Sequence, residues 1–399
     1  MRASEVLQRC LVPALSAMHA LRARTLLLAV EALLAGRRLV LIDLARSWPG
    51  AERVRAPLKR LDRLLGNRRL HAEREVLHAA MVPWLLRGPQ PVIVVDWCRL
   101  KPNGQWHLLR AAVPVGGRTL TVLDMVFPER MQGSPQAEAL FLRRLATLVP
   151  AGVRPILVTD AGYRAPWCRA VTALGWDWVT RVRNRTLVQP HAAADPACWL
   201  PSTALYPLAC RQPRTLGVFD IARYQPLTVM LVLHATPARG RRELTLGKRR
   251  ARNKRSLACA KREREPWLLA HSPQLTLHAR QIVSLYARRM QIELAFRDLK
   301  SHRFGQAFED SLTRCSKRIE VLLLLHTLAT FAAWLAGLVA QAQGANARLD
   351  PHRSTRKLYS SVRLGWEALV RRWIEPRVGW LDLLHRPPER VLAEMAVAG

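Results

Sequence analysis

The sequence predicts a mixed α/β protein, and three observations predict it. The first stretch carries leucines at helical spacing, the middle stretch shortens its hydrophobic period to that of strands, and long helical periodicity returns toward the C-terminus. With 399 residues, half of them apolar, the chain can bury a sizeable core and divide into several compact parts.

Residues 1–85 read as helical, through Leu26, Leu27, Leu33 and Leu34 and then a sharper amphipathic segment. There Leu58, Leu61 and Leu65 face inward, Lys59, Arg60 and Arg63 face outward, and Gly66-Asn67 supplies a stop. The basic face fits DNA, and it equally fits a solvated face on a structural helix. From Pro91 the pattern changes. Pro91 to Asp96 is a β-branched run ending in an acid, and Trp106 to Val115 and Arg118 to Val126 read as strands joined at Gly116-Gly117. Ala137 to Leu148 suits a helix. Pro155 to Asp160 is a second apolar run ending in an acid, followed by a helix around Cys168 to Leu174 and a strand over Trp176 to Val182. The order β-β-β-α-β-α-β belongs to a mixed sheet rather than a doubly wound one.

Residues 184–275 break this order. Gln189 to Pro213 is rich in proline and alanine, Leu216 to Ala222 and Leu227 to Ala235 read as a strand pair, and Arg239 to Arg255 is a basic run, either a DNA contact or a solvated loop. The expected division is therefore a helical DNA-binding region over 1–85, a core over 86–183 that resumes over 276–345, a β-rich insertion over 184–275, and a helical region over 346–399 for DNA contact or dimerisation. Val321 to Ala340 is apolar enough to cross a bilayer. The favoured reading is a helix buried against a sheet, because nothing else in the chain asks for a membrane.

Against 29 acidic residues stand 63 Lys and Arg, a formal charge of +34, which attracts polyanions and makes nucleic acid the leading partner. The alternative is an ordinary enzyme with a basic surface. Seven scattered cysteines without a C-x-x-C pair point to reduced thiols in the cytoplasm rather than a disulfide framework or a zinc site. Arg2, Glu5 and Arg9 precede any apolar run, so the N-terminus does not read as a signal peptide.

A carboxylate at the C-terminal end of a buried strand sits at the edge of a sheet, where metal sites are commonly built. Taken singly, Asp96 or Asp160 reads as well as a turn residue. The third acid lies in Tyr286-Ala-Arg-Arg289-Met-Gln-Ile-Glu293-Leu-Ala-Phe-Arg-Asp-Leu-Lys300. At about 100° per residue, Tyr286, Arg289, Glu293 and Lys300 share one helical face. A simple i,i+4 ion pair of Arg289 with Glu293 is the bland account of the same spacing.

The spacing Y-x2-R-x3-E-x6-K, preceded in order by Asp96 and Asp160, resembles the bacterial insertion-sequence transposases of the DDE type that bear the Y-R-E-K signature. Lys59 to Asn67 looks like that family's N-terminal segment, and Gly175 to Arg183 looks like its strand after the second acid. Asp160-Ala-Gly-Tyr163 lacks the Asp-Arg-Glu wording of some members. The resemblance implies a ribonuclease-H-like core, two Mg²⁺ ions (with Mn²⁺ substituting) held by Asp96, Asp160 and Glu293, and a homodimer acting on double-stranded DNA. It also implies phosphate contacts from Tyr286, Arg289 and Lys300, further DNA contacts from Arg181 and Arg183, and stacking of a flipped base on Trp267. A core tryptophan at the start of a strand is the competing account of Trp267. The basic tail with Arg353, Arg356, Lys357 and Arg363 argues for an assembly larger than a plain nuclease. An inactive end-binding repressor and a nuclease without strand transfer are the alternatives to an active transposase.

Overall fold

The computed structural model describes residues 3–102, 104–183, 186–192, 198–236, 249–349, 359–375 and 378–397. Six helices open the chain: α1 (Ala3–Cys10), α2 (Val12–Ser16), α3 (Ala20–Gly36), α4 (Leu41–Arg46), α5 (Arg55–Leu65) and α6 (Arg68–Leu85). Strands β1 (Val92–Arg99), β2 (Trp106–Pro114) and β3 (Thr119–Pro128) follow, then α7 (Pro135–Leu148), β4 (Ile156–Val158), α8 (Ala165–Ala173) and β5 (Asp177–Val182). Next come β6 (Leu187–Pro190), β7 (Leu200–Pro201), β8 (Arg214–Ile221), β9 (Leu227–His234), α9 (Lys254–Glu263) and β10 (Trp267–His271). Helices α10 (Ala279–Arg288), α11 (Met290–Lys300), α12 (Ser316–Ala342), α13 (Ser361–Val370), α14 (Asp382–His385) and α15 (Glu389–Met395) complete the described elements.

The chain forms two compact units, one of Met1–Pro155 with Arg289–Gly399 and the other of Ile156–Arg288. In the first, β1, β2 and β3 make an antiparallel meander in the order β3-β2-β1. Gly116 and Gly117, with φ of 82° and 97°, turn β2 into β3 as a two-residue hairpin requires. Val92, Ile93, Val94 and Val95 are all buried, so β1 is covered on both faces and reads as an unbroken apolar run, each side chain contributing about 1.5–3 kcal/mol. Helix α12 is the centre of this unit. It packs on α3, α6, α13 and β3, and its most apolar stretch is wholly buried by the protein itself, which is the buried-helix reading of Val321 to Ala340.

In the second unit, β4 and β5 pair in parallel and the remaining strands are antiparallel, in the order β4-β5-β10-β9-β8-β6-β7. The β-rich stretch therefore does not stand apart. Strand β10 lies between β5 and β9 and carries the sheet from one to the other.

Several expectations are corrected locally. Asp96 does not end its strand: β1 runs on to Arg99, because Trp97, Cys98 and Arg99 keep pairing with Leu109, Leu108 and His107 of β2. Asp160 lies two residues beyond β4. Gly66 ends α5 as expected, but Asn67 begins the next helix, its side chain accepting a hydrogen bond from the Leu70 amide at 3.0 Å. The Gln189 to Pro213 stretch contains the end of β6, all of β7 and a 3₁₀ turn over Ser202–Leu208. Of the basic run Arg239 to Arg255, residues 239–248 lie outside the described residues, as do Arg353, Arg356 and Lys357; Arg363 sits on α13 and pairs with Glu367 at 3.0 Å. Cys10, Cys98, Cys168, Cys198, Cys210 and Cys315 are free thiols.

Candidate active site

The signature is carried by two helices. Helix α10 ends at Arg288, Arg289 occupies a one-residue turn, and α11 begins at Met290, its first turn fixed by the Ile292 amide donating to the Arg289 carbonyl at 3.1 Å. A single helical face was expected; Tyr286 instead belongs to α10, while Glu293 and Lys300 belong to α11.

In the first unit, Asp96 and Glu293 converge on one cation. Arg289 donates from one guanidinium nitrogen to Asp96 Oδ2 at 3.3 Å and from another to Glu293 Oε1 at 2.7 Å. The side chains of Arg289 and Asp96 are 10% and 13% exposed, whereas Glu293 is 46% exposed. The other oxygen of Asp96 accepts from the Trp97 amide at 2.8 Å, and Trp97 packs edge-on against Phe127 at 5.5 Å, which fixes the carboxylate on β1. Lys300 donates to the Arg99 carbonyl at 3.1 Å, three residues along the same strand. The neighbouring Cys98 thiol is pushed up to about 11 by burial, so it is an inert neutral group beside that lysine.

Asp96 sits opposite Arg110 in β2, and Arg110 opposite Asp124 in β3, so the three form a row on one sheet face. Arg110 grips Asp124 through two hydrogen bonds of 2.7 and 2.6 Å, and its guanidinium lies 5.5 Å over the ring of Phe296 on α11. A buried ion pair thus braces the strand that bears Asp96 against the helix that bears Glu293. Gln291 adds a second brace, its Oε1 accepting from the Gly116 and Gly117 amides at 3.1 and 2.9 Å and its Nε2 donating to Glu394 at 2.8 Å. Arg110, Asp124 and Gln291 are not among the fixed positions of the motif or the acid order read from the sequence, although a lone charge inside each of two apolar strands marks the first two.

In the second unit, Asp160 Oδ1 accepts from the Gly162 amide at 2.8 Å and its carbonyl accepts from Thr180 Oγ1 at 2.8 Å, which anchors the acid beside β5. Trp267 is half-buried at the start of β10, with Tyr286 edge-on at 4.8 Å and His234 at 6.2 Å. Tyr286 itself is buried. Arg181 donates to the Glu265 and Pro266 carbonyls at 3.2 and 3.1 Å, and Arg183 pairs with Glu265 at 2.7 Å. Both arginines expected to meet DNA therefore hold the segment leading into Trp267. Burial pulls the Arg181 guanidinium below its usual range, and its proximity to the Tyr286 and Glu265 side chains opposes that.

Lys59, Arg60 and Arg63 are exposed on α5 over buried Leu61 and Leu65, as expected. Arg60 and Arg63 also border a cavity of about 520 Å³ with His19, Arg22, Arg24 and Trp48, and among the described residues no carboxylate lines it. Arg22 is held by Glu73; among the described residues Arg24, Arg60 and Arg63 have no acidic partner.

Among the described residues, no three His, Cys, Asp or Glu side chains gather closely enough to hold a metal ion. The Asp96 and Glu293 pair nonetheless fits a divalent cation by its chemistry, since two hard carboxylates from different elements already meet a single positive group. A family model described as a transposase DDE domain matches residues 87–332 of the chain. No curated protein is similar enough to match it.

Proposed function

The chain belongs to the transposase family of the DDE domain, and from that premise we propose that it recognises the terminal inverted repeats of a mobile element, cleaves them and joins the freed 3′-ends to target DNA. Its mixed α/β architecture is the ribonuclease-H-like fold of that family. Within the family we assign it to the insertion-sequence group with the Y-R-E-K signature, working on double-stranded DNA in the cytoplasm as a homodimer. The observation that carries this reading is the convergence of Asp96 and Glu293 on one cation.

Asp96, Asp160 and Glu293 would hold two Mg²⁺ ions, with Mn²⁺ able to replace them. When bound, the ions supply an activated nucleophile and neutralise charge on the leaving oxygen. In the first step a water oxygen attacks the scissile phosphorus and the bond to the 3′-oxygen breaks, leaving a 3′-hydroxyl. That hydroxyl then attacks the phosphorus of the opposite strand, closing a hairpin and releasing the flanking DNA with a 3′-hydroxyl; a second water hydrolyses the hairpin and regenerates the element's 3′-hydroxyl, which attacks a target phosphorus and displaces a target 3′-oxygen. Within the chain, Arg289 and Lys300 hold phosphates by charge, with Tyr286 beside them in the signature. Trp267 offers a half-exposed ring to an extruded base. The cationic cavity and the basic face of α5, in the stretch before the matched domain, take the duplex backbone.

The test is a gel assay on a duplex carrying one element end plus a target plasmid in Mg²⁺. Joined products are expected with the intact chain. Asp96→Asn, Asp160→Asn and Glu293→Gln should each abolish cutting and joining while keeping end binding, because each removes a hard oxygen ligand and little basic surface. Wild-type cleavage by Glu293→Gln overturns the assignment of the acids, and cutting without joining reduces the protein to a nuclease.

A further inference from the structure

We propose that Arg289 is a positioning residue that holds the place of the divalent cation between Asp96 and Glu293 and exchanges with it, so that the guanidinium reaches a DNA phosphate only when metal enters. This rests on the reading of those two acids as metal ligands. The geometry is that of a bridge: one guanidinium, two carboxylates, one from β1 and one from the first turn of α11, at 3.3 and 2.7 Å. The guanidinium thereby holds the two acids in converging positions. Arginine suits this task because it stays charged under all ordinary conditions and its planar fork matches carboxylates and phosphates alike. A third donor interaction, to the Met290 sulfur at 3.3 Å, keeps the head group against the start of α11.

Charge makes the two occupants mutually exclusive. A guanidinium and a divalent cation between the same two carboxylates repel each other at close range in a partly buried setting, so entry of one expels the other. The expelled guanidinium needs a new anion, and DNA phosphate is the one that accompanies the reaction. Metal and DNA therefore assist each other, each drawing Arg289 toward the arrangement that the other requires, and the coupling is reciprocal. Without DNA the protein resists metal, which keeps hydrolytic chemistry silent until an end is bound.

The experiment follows Mn²⁺ binding to the full chain by electron paramagnetic resonance, with and without a short duplex in which no cleavage site is present. Wild-type protein should bind Mn²⁺ about tenfold more tightly when the duplex is added. Arg289→Gln should bind Mn²⁺ about tenfold more tightly than wild type without DNA and show little of the duplex effect. Arg289→Lys, which restores a cation, should fall back toward wild type. Wild-type or weaker Mn²⁺ affinity in Arg289→Gln overturns the exchange. Should that variant not fold, the wild-type comparison decides, and Mn²⁺ affinity indifferent to duplex overturns the proposal. Glu293→Gln separates the two claims. If it leaves Mn²⁺ binding intact, the acids are not the metal site and the reading of the active site fails; if it removes binding while Arg289→Gln behaves like wild type, only the exchange fails.

Discussion

Asp124 shows how strongly a single side chain can be committed. Its carboxylate is 3% exposed, Arg110 is 1% exposed, and each depends on the other for nearly all its compensation. Removing one partner leaves a buried unpaired charge, so Asp124→Asn should cost about 3–5 kcal/mol in urea unfolding, while the double change Arg110→Met with Asp124→Leu recovers most of it. Equal destabilisation in the single and double variants would show that the row is not acting as a pair. Trp267 is a different kind of commitment, a half-buried ring held edge-on by Tyr286. Trp267→Ala should slow hairpin closure more than first-strand nicking, and a substrate already lacking the extruded base should partly rescue it. Failure of both steps together, with a lowered melting temperature, would assign the ring to the strand alone. At this scale the sequence singled out Asp96, Asp160, Glu293 and Arg289 as candidates through their order and spacing. It did not disclose what they touch: that Arg289 joins β1 to α11 depends on an interaction across nearly two hundred positions, which no local pattern encodes.

Helix α5 and the crossing of α12 with α13 are the elements whose behaviour follows most directly from their faces. On α5 the apolar stripe is buried and the basic stripe is not, so replacing Lys59, Arg60 and Arg63 with alanine should leave the melting temperature near wild type. The same change should weaken duplex binding and flatten its slope against log salt by up to about 0.9 for each phosphate no longer neutralised, measured by fluorescence anisotropy in EDTA. An unaltered slope would make that face a solvated surface. Where α13 crosses α12, Gly365 and Gly337 bring the two backbones together: a Cβ on Gly365 would overlap the Ala333 carbonyl, and one on Gly337 the Ser361 carbonyl. Gly365→Ala should therefore cost about 1–3 kcal/mol, and circular dichroism melts will show whether it does. Strands β1 to β5, β8 and β9 and helices α5, α7 and α8 were readable to within a few residues, because Gly116-Gly117 and the β-branched runs act locally. The break at Arg289 and the place of β10 between β5 and β9 were not, since both are set by packing partners far away in the chain.

Over the whole molecule, buried histidines tie stability to pH. Burial lowers His78 to about 4 from near 6.5, with the Arg74 and Arg110 charges acting the same way and Asp124 against them, and burial holds His326 well below its usual range. Both are neutral when folded. Above pH 6.5 the unfolded chain is neutral there too and their contribution is complete; as pH falls from 6.5 toward 4 the unfolded chain takes up protons that the fold refuses, and stability drops by up to about 1.4 kcal/mol per pH unit for each histidine. Glu320, raised by burial, works the other way just above the ordinary carboxylate range. A melting series from pH 7.5 to 4.5 should show the decline, and His78→Leu should make it shallower; an unchanged slope would mean that the residue charges inside the fold. The positive charge of the whole chain was plain from composition, but the division into two units was not, because the first unit is assembled from both ends of the described chain. That assembly has a consequence in time. Helices α3 and α6 rest on α12, yet at ~5–20 residues per second the ribosome needs on the order of 10–50 s to pass from Leu85 to Ser316. During that interval α3 and α6 have only earlier-made neighbours such as α1, α2, α4 and β3, and the faces that α12 will cover stay open, so the nascent protein spends its longest wait as a client for chaperones, and slowing synthesis should lower its yield rather than raise it.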